Sequence, residues 1–256
     1  MGGGGIMPHF FIEPREVNVG DVLTLTGDDA RHISFSLRAK PGDEYVLCDT
    51  CNYEYHCKIN NITSEKIDFE LLDKKPCEAE PNVKVTLYQA LVKGDKFDTI
   101  VQKAVELGVY EIVPVISERC VSRPDEKQLL KKIERWQKIS KSAAMQCARA
   151  TVPEIKMPVS FEKAVERIKE ADCGFICYEA EPHEPMKIIF EKASSTKIIN
   201  NYSFFIGPEG GISRKEAELA TDNNVPLASL GKRILRTETA PLCVISSIMF
   251  FSDNLN

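Results

Sequence analysis

No apolar run in this 256-residue chain approaches the ~20 residues that a membrane-spanning helix needs. The N-terminus has neither the basic nor the apolar region of a secretory signal, so a soluble, cytoplasmic protein is expected. Paired cysteines are missing too: nine in irregular positions, an odd number, fit reduced thiols better than a disulfide framework. Cys48, Cys51, His56, Cys57 and Cys77 share one region. No further C-x-x-C follows, and the spacing matches no common zinc module, so no metal site is expected. An excess of positive charge is also lacking, with a net charge of -5. The first 80 residues carry eight Lys or Arg against fifteen Asp or Glu, the wrong sign for broad phosphate binding. What is present is 43% apolar content, ample for one large domain or two modest ones.

Four consecutive glycines at Gly2–Gly5 cannot build an element, and Met7 is followed at once by the strand-like "HFFI". The expected natural start is Met7, with residues 1–6 a non-native or disordered leader. From Ile12 to Asp73 short alternating runs ("DVLTLT", "EYVLCD", "EYHCKI", "KIDFELL") are separated by turn-forming "GDD", "KPGD" and "NNITSE", which reads as strands. "KKPCEAEPN" reads as a linker, so the expected domains are 1–75 and 76–256.

After the linker, strands alternate with helical patterns. "VKVTLYQAL", "YEIVPVIS", "CGFICYE" and "YSFFIG" read as strands. "DKFDTIVQKAVELG" is an amphipathic helix with a Gly stop, and "SFEKAVERIKE" is another helix. Residues 126–148 place Leu129, Ile133, Trp136, Ala143 and Cys147 on one stripe, with Lys131, Arg135, Lys138 and Lys141 away from it. Such alternation predicts an α/β fold with a mostly parallel sheet.

"IGPEGGISRKEAELA" puts three glycines within five positions, where a buried strand enters a helix capped by Ser213 and Glu216. Open α/β folds bind ligands at that edge. No Lys-Ser/Thr follows and the spacing is not a dinucleotide fingerprint, so a nucleoside triphosphate is not expected. Taken alone, the loop is either a tight turn or a ligand cradle. A second strand-loop-helix unit, "VPLASLGKRILRTETAPLCVISSIMFF", follows directly.

"IGPEGG" followed by "SLGKRILRTETAP" resembles the SPOUT methyltransferases, and within them the RsmE family, which methylates N3 of a uridine in small-subunit ribosomal RNA. The resemblance extends to "QALVKGDKFDTIVQKAVELGVYEIVPVISERCV", to "KKIERWQKISKSAAMQCARATVP" and to "DDARHISFSLRAKPGDEYVLCD", and so covers almost the whole chain. It implies a SPOUT-type domain with a C-terminal trefoil knot, preceded by a small PUA-like β-barrel. It also implies a homodimer formed through "APLCVISSIMFF", and S-adenosylmethionine held among three loops. On this sequence those loops carry Leu91; Gly207, Pro208, Glu209, Gly210 and Gly211; and Leu230, Gly231, Ile234, Leu235, Thr239 and Ala240. The chain departs from the family's usual residues at His9, Met145 and Ala148.

Residues 119–149 carry nine basic against three acidic residues, a local footprint that fits either a solvated face or RNA. Lys131, Arg135, Lys138 and Arg149 are candidate RNA contacts there, and Arg31, His32, Arg38 and Lys40 in the barrel. Arg236 is the candidate to stabilise charge on a uracil, unless it forms a salt bridge to Glu209 or Glu238. Either carboxylate is also a conceivable base. The expected activity is N3-uridine methylation of small-subunit ribosomal RNA, in an assembled or nearly assembled subunit. The alternatives are another SPOUT reaction, on a ribose 2'-hydroxyl or a different base, or a noncatalytic RNA-binding assembly protein.

Overall fold

The computed structural model describes residues 9–13 and 16–255; the expected leader and the start at Met7 lie outside them. The chain divides into two compact units. One runs to Glu80 and takes in Ser142–Val152; the other comprises Pro81–Lys141 and the chain from Pro153 onward. The return of Ser142–Val152 to the first unit is something composition along the chain does not carry. Glu80 holds it, accepting hydrogen bonds from the Arg149 guanidinium at 2.7 Å and from the N–H groups of Ala150 and Thr151 at 3.0 and 3.1 Å.

In the first unit, β1 (His9–Phe11), β2 (Val22–Thr26), β3 (Glu44–Cys48), β4 (Tyr53–Ile62) and β5 (Lys66–Pro76) form one sheet in the order β1-β3-β4-β5-β2. All its pairs are antiparallel except β1 with β3. The period of two is visible in burial: Leu23 and Leu25 of β2 are inside, while Val22, Thr24 and Thr26 face out. With Phe10, Leu47, Tyr55, Ile59 and Phe69 they make the core. Between β2 and β3 the short helix α1 (Gly27–Arg31) runs into a π-helical turn, His32–Ser36, where the Leu37 N–H donates to His32 O at 3.1 Å.

The second unit follows the expected alternation: β6 (Lys84–Ala90), α2 (Lys96–Glu106), β7 (Glu111–Ile116), α3 (Glu126–Gln146), β8 (Glu154–Ile155), β9 (Val159–Ser160), α4 (Phe161–Lys169) and β10 (Cys173–Cys177). Then come β11 (Glu184–Pro185), α5 (Met186–Ser194), β12 (Asn201–Ile206), α6 (Arg214–Asp222), β13 (Leu227–Ser229) and α7 (Ala240–Phe251). The sheet order is β11-β13-β10-β12-β6-β7-β8, with β9 also on β7, and every described pair is parallel. β12 lies inside it and is buried from Tyr202 to Ile206, which explains its unbroken apolar sequence. α2 buries Phe97, Ile100, Val101, Ala104 and Val105, and the chain leaves it at Gly108, whose φ of +93° suits glycine. α7 packs against α2 and β12. Because the strands are parallel, the loops after β12, β13 and β10 open at one edge of the sheet.

Candidate active site

At that edge lies a cleft of about 890 Å³. One wall is the loop after β12, with Gly207, Pro208, Glu209 and Gly211; a second runs from Leu230 to Glu238, with Ala240 behind it. The capping box that starts α6 is complete: Ser213 Oγ accepts from the Glu216 N–H at 3.2 Å, and the Ser213 N–H donates to the Glu216 carboxylate at 2.9 Å. Ser213 Oγ also donates to Glu118 at 2.6 Å, and the Glu118 N–H donates to Glu216 at 2.8 Å. The glycine loop is thereby anchored to the chain just beyond β7.

Thr237 joins the second wall both to the first and to the end of β6. The Thr237 hydroxyl donates to Gly207 O at 2.7 Å and accepts from Gln89 Nε2 at 3.2 Å. Gln89 is fully buried at the end of β6, and its Oε1 has no hydrogen-bond partner among the described residues. Lys96, the first residue of α2, makes a second link at the rim: its Nζ lies 3.1 Å from a Glu209 oxygen and 3.8 Å from a Glu238 oxygen. Burial works upward on the Glu209 carboxyl. Its own backbone N–H, the Lys96 amine and the Lys93 N–H outweigh that and hold it below the usual carboxylate range. Glu209 is therefore ionised at neutral pH and a weak proton acceptor.

Lys96 takes both carboxylates that could have paired with Arg236. The Arg236 side chain is exposed, lines the cleft and makes no ion pair among the described residues. Gly207, Pro208, Glu209, Gly211, Leu230, Gly231, Ile234, Leu235 and Ala240 all line the cleft, although Ile234 is 85% exposed. Three expected residues do not. Leu91 is buried in the sheet with its N–H on Val115 O; Gly210 turns away, its carbonyl accepting from Arg119 at 2.9 Å; and Thr239 precedes α7 with its N–H on Arg236 O. A third wall was not foreseen: Cys177 at the end of β10, and Tyr178, Glu179, Glu181 and His183 just after it. Burial, with Cys243 nearby, pushes the Cys177 thiol far up, so it presents as an uncharged wall.

Gly211 shows how closely that third wall approaches. Its φ is +67°, and a Cβ added there would sit 2.1 Å from Glu179 Oε1. The left-handed backbone is what favours glycine there, since a Cβ would need only the flexible end of the Glu179 side chain to move aside.

The candidate RNA residues scatter. Arg149 is 4% exposed and committed to Glu80 within the first unit, so its place in the basic run misleads and it is no surface contact. His9, also buried, has its Nδ1 3.4 Å from Cys48 Sγ, and burial lowers its pKa. Arg135 is exposed but paired with Asp98 and, at 3.4 Å, Asp95. Lys131 and Lys138 are exposed on α3, whose Trp136 stacks on Phe97 at 3.9 Å. Arg31, His32, Arg38 and Lys40 are exposed around the π-helical turn.

Residues 79–249 match the RNA methyltransferase domain family, and residues 25–72 the RNA methyltransferase PUA domain. The ribosomal RNA small subunit methyltransferase E of Bacillus subtilis is 32% identical, over 97% of this chain and 98% of that protein. The chain belongs to this methyltransferase family. A crystal structure of the Neisseria gonorrhoeae ribosomal RNA small subunit methyltransferase E, bound to S-adenosyl methionine, is 30% identical with a TM-score of 0.83, covering 96% of this chain and 98% of that one. A Legionella pneumophila methyltransferase with bound cofactor SAM is 27% identical with a TM-score of 0.84 and the same coverage. The fold is thus the SPOUT methyltransferase fold, with its parallel sheet, in a chain that also carries a PUA-like unit.

Proposed function

We propose that this protein transfers the methyl group of S-adenosylmethionine to N3 of one uridine in small-subunit ribosomal RNA. The observation that carries the reading is the cleft itself: two glycine-bearing loops at the carboxyl edge of a parallel sheet, cross-linked through Thr237, in a chain of this family. Its residues fit the cofactor. The volume suits a ligand of that size, Gly207 and Gly211 allow close backbone approach, and Leu230 and Leu235 supply apolar wall.

The bound cofactor supplies an electrophilic methyl group on a sulfonium. The chain supplies position and charge. Uracil N3 is protonated at neutral pH, so its proton must leave and the negative charge must be stabilised. Arg236, unpaired at the cleft, is the group to hydrogen-bond a uracil carbonyl as that charge develops. Glu209, tied to Lys96, serves as a positioning residue for the loop rather than as the base. No side chain is assigned as base, and rate should rise with pH as the uridine deprotonates.

Lys131 and Lys138, with Arg31, His32, Arg38 and Lys40, are the proposed RNA contacts. Phe250 at 76% exposure on α7, together with Ile234, fits pairing of two copies that complete each other's cleft. The knot, the assembled subunit as substrate and the cytoplasm belong to the same reading. Incubating the protein with S-adenosylmethionine carrying a labelled methyl group and small subunits from a deletion strain tests it. Label should enter the ribosomal RNA, and Arg236→Ala should slow transfer by about 100-fold or more without loss of the cofactor.

A further inference from the structure

The 31–40 segment of the first unit combines three features that stability alone does not favour. The helix widens into the π-helical turn His32–Ser36, a rare form that is frequent at functional sites. Arg38 sits at φ +53°, a left-handed conformation unfavourable for a bulky side chain. Phe35 is 66% exposed, whereas Phe10 and Phe69 of the same unit are completely buried.

Side-chain direction follows from the helical run. Ala30 and Ile33 are fully buried and fix its inner face in the core. Ser34 Oγ, 2.8 Å from Ala30 O and 3.0 Å from Thr63 O, ties the run to the β4–β5 turn. Arg31, His32 and Phe35, three and four positions apart, are left on the outer side, with Arg38 and Lys40 following, all exposed. No acidic residue occurs from Ala30 to Pro41. Asp28, which pairs with Arg31 at 4.0 Å, and Asp29 bound the patch on one side, and Asp43 bounds it on the other.

We infer that Phe35 is a stacking platform for an unpaired base of the RNA, with Arg31, Arg38 and Lys40 holding the flanking phosphates. Charge chooses this occupant over duplex RNA. The unit carries fifteen acidic against eight basic residues through position 80, so phosphate attraction alone is too weak, and an exposed ring adds affinity only where a base face is free. The inference rests on RNA being the substrate.

Fluorescence anisotropy of the full chain tests it, with a short labelled oligouridine and a labelled RNA duplex of equal length at fixed salt. Phe35→Ala should raise Kd for the single strand about 5- to 150-fold, the range of one lost base stack, and leave the duplex unchanged. Phe35→Tyr should restore binding and Phe35→Leu should not, since leucine keeps apolar surface without a π-face. S-adenosylmethionine affinity by calorimetry should be the same for all three variants. Unchanged oligouridine binding by Phe35→Ala, or rescue by Phe35→Leu, overturns the platform while wild-type methyl transfer continues. A wild type that neither binds RNA nor transfers methyl to small subunits overturns the substrate reading as well.

Discussion

Replacing Thr237 by valine keeps the side chain's shape and removes one hydroxyl, so its consequences can be worked out without a cavity. That hydroxyl makes two hydrogen bonds in a region where Thr237 is 7% exposed and Gln89 fully buried. Without it, Gly207 O loses a donor at 2.7 Å, and Gln89, whose Oε1 already lacks a partner, keeps only its 3.2 Å bond to Ala90 O. Two lost bonds at about 1 kcal/mol each, with the cost of a stranded polar group, give a destabilisation of about 2–4 kcal/mol. The loss falls on the joint between the two cleft walls. S-adenosylmethionine affinity by calorimetry should therefore drop at least about tenfold at temperatures where urea unfolding shows the chain still native. Thr237→Ser, which keeps the hydroxyl, should restore most of both. A valine variant within about 0.5 kcal/mol of wild type, with unchanged cofactor affinity, would refute the reasoning.

Gly211→Ala should cost the cofactor more than Gly210→Ala, because only Gly211 holds a left-handed φ of +67° and an alanine there would also push aside the Glu179 side chain that walls the cleft; calorimetry on both variants checks the contrast. Arg236→Ala should lower kcat by about 100-fold or more with S-adenosylmethionine Kd unchanged, as measured by single-turnover transfer and calorimetry. Charge reversal at Lys131 and Lys138 should weaken RNA binding and flatten its salt dependence, which titration at several salt concentrations reads directly. Asp172 is held below the usual carboxylate range by Lys197 and by the N–H groups of Asn200 and Asn201. Its contribution is present above the unfolded carboxylate pKa and is lost as pH falls through the lower folded value. Asp172→Asn should therefore destabilise by about 1–2 kcal/mol at neutral pH, with the gap to wild type closing on acidification in urea titrations.

Local rules carried much of the fold. The parallel strands, the Gly108 stop and the Ser213–Glu216 capping box are stated by neighbouring residues, and the structure has each of them. What escaped depends on distant partners. Arg149 looks like one more surface cation until Glu80, 69 residues away, is seen beside it. The cleft's third wall escaped because β10 lies between β13 and β12 in the sheet, so the segment after β10 meets the loop after β12 and brings Glu179 to Gly211. Lys96 gave no sequence signal beyond a helix start, yet it holds the carboxylates that otherwise faced Arg236. α5, following a Pro-flanked "EPHEP" segment, also went unassigned, since it starts after Pro185 without the serine cap that marks α4 and α6, which are of the same length.

The central claim concerns one atom of one nucleotide, and nucleoside mass spectrometry of small-subunit ribosomal RNA reads it directly. Subunits from a deletion strain, treated with the purified protein and S-adenosylmethionine, should gain a single N3-methyluridine that the strain lacks and the parent carries. A methyl group found on a ribose hydroxyl or on another base, or no gain of methyl at all, would contradict the account.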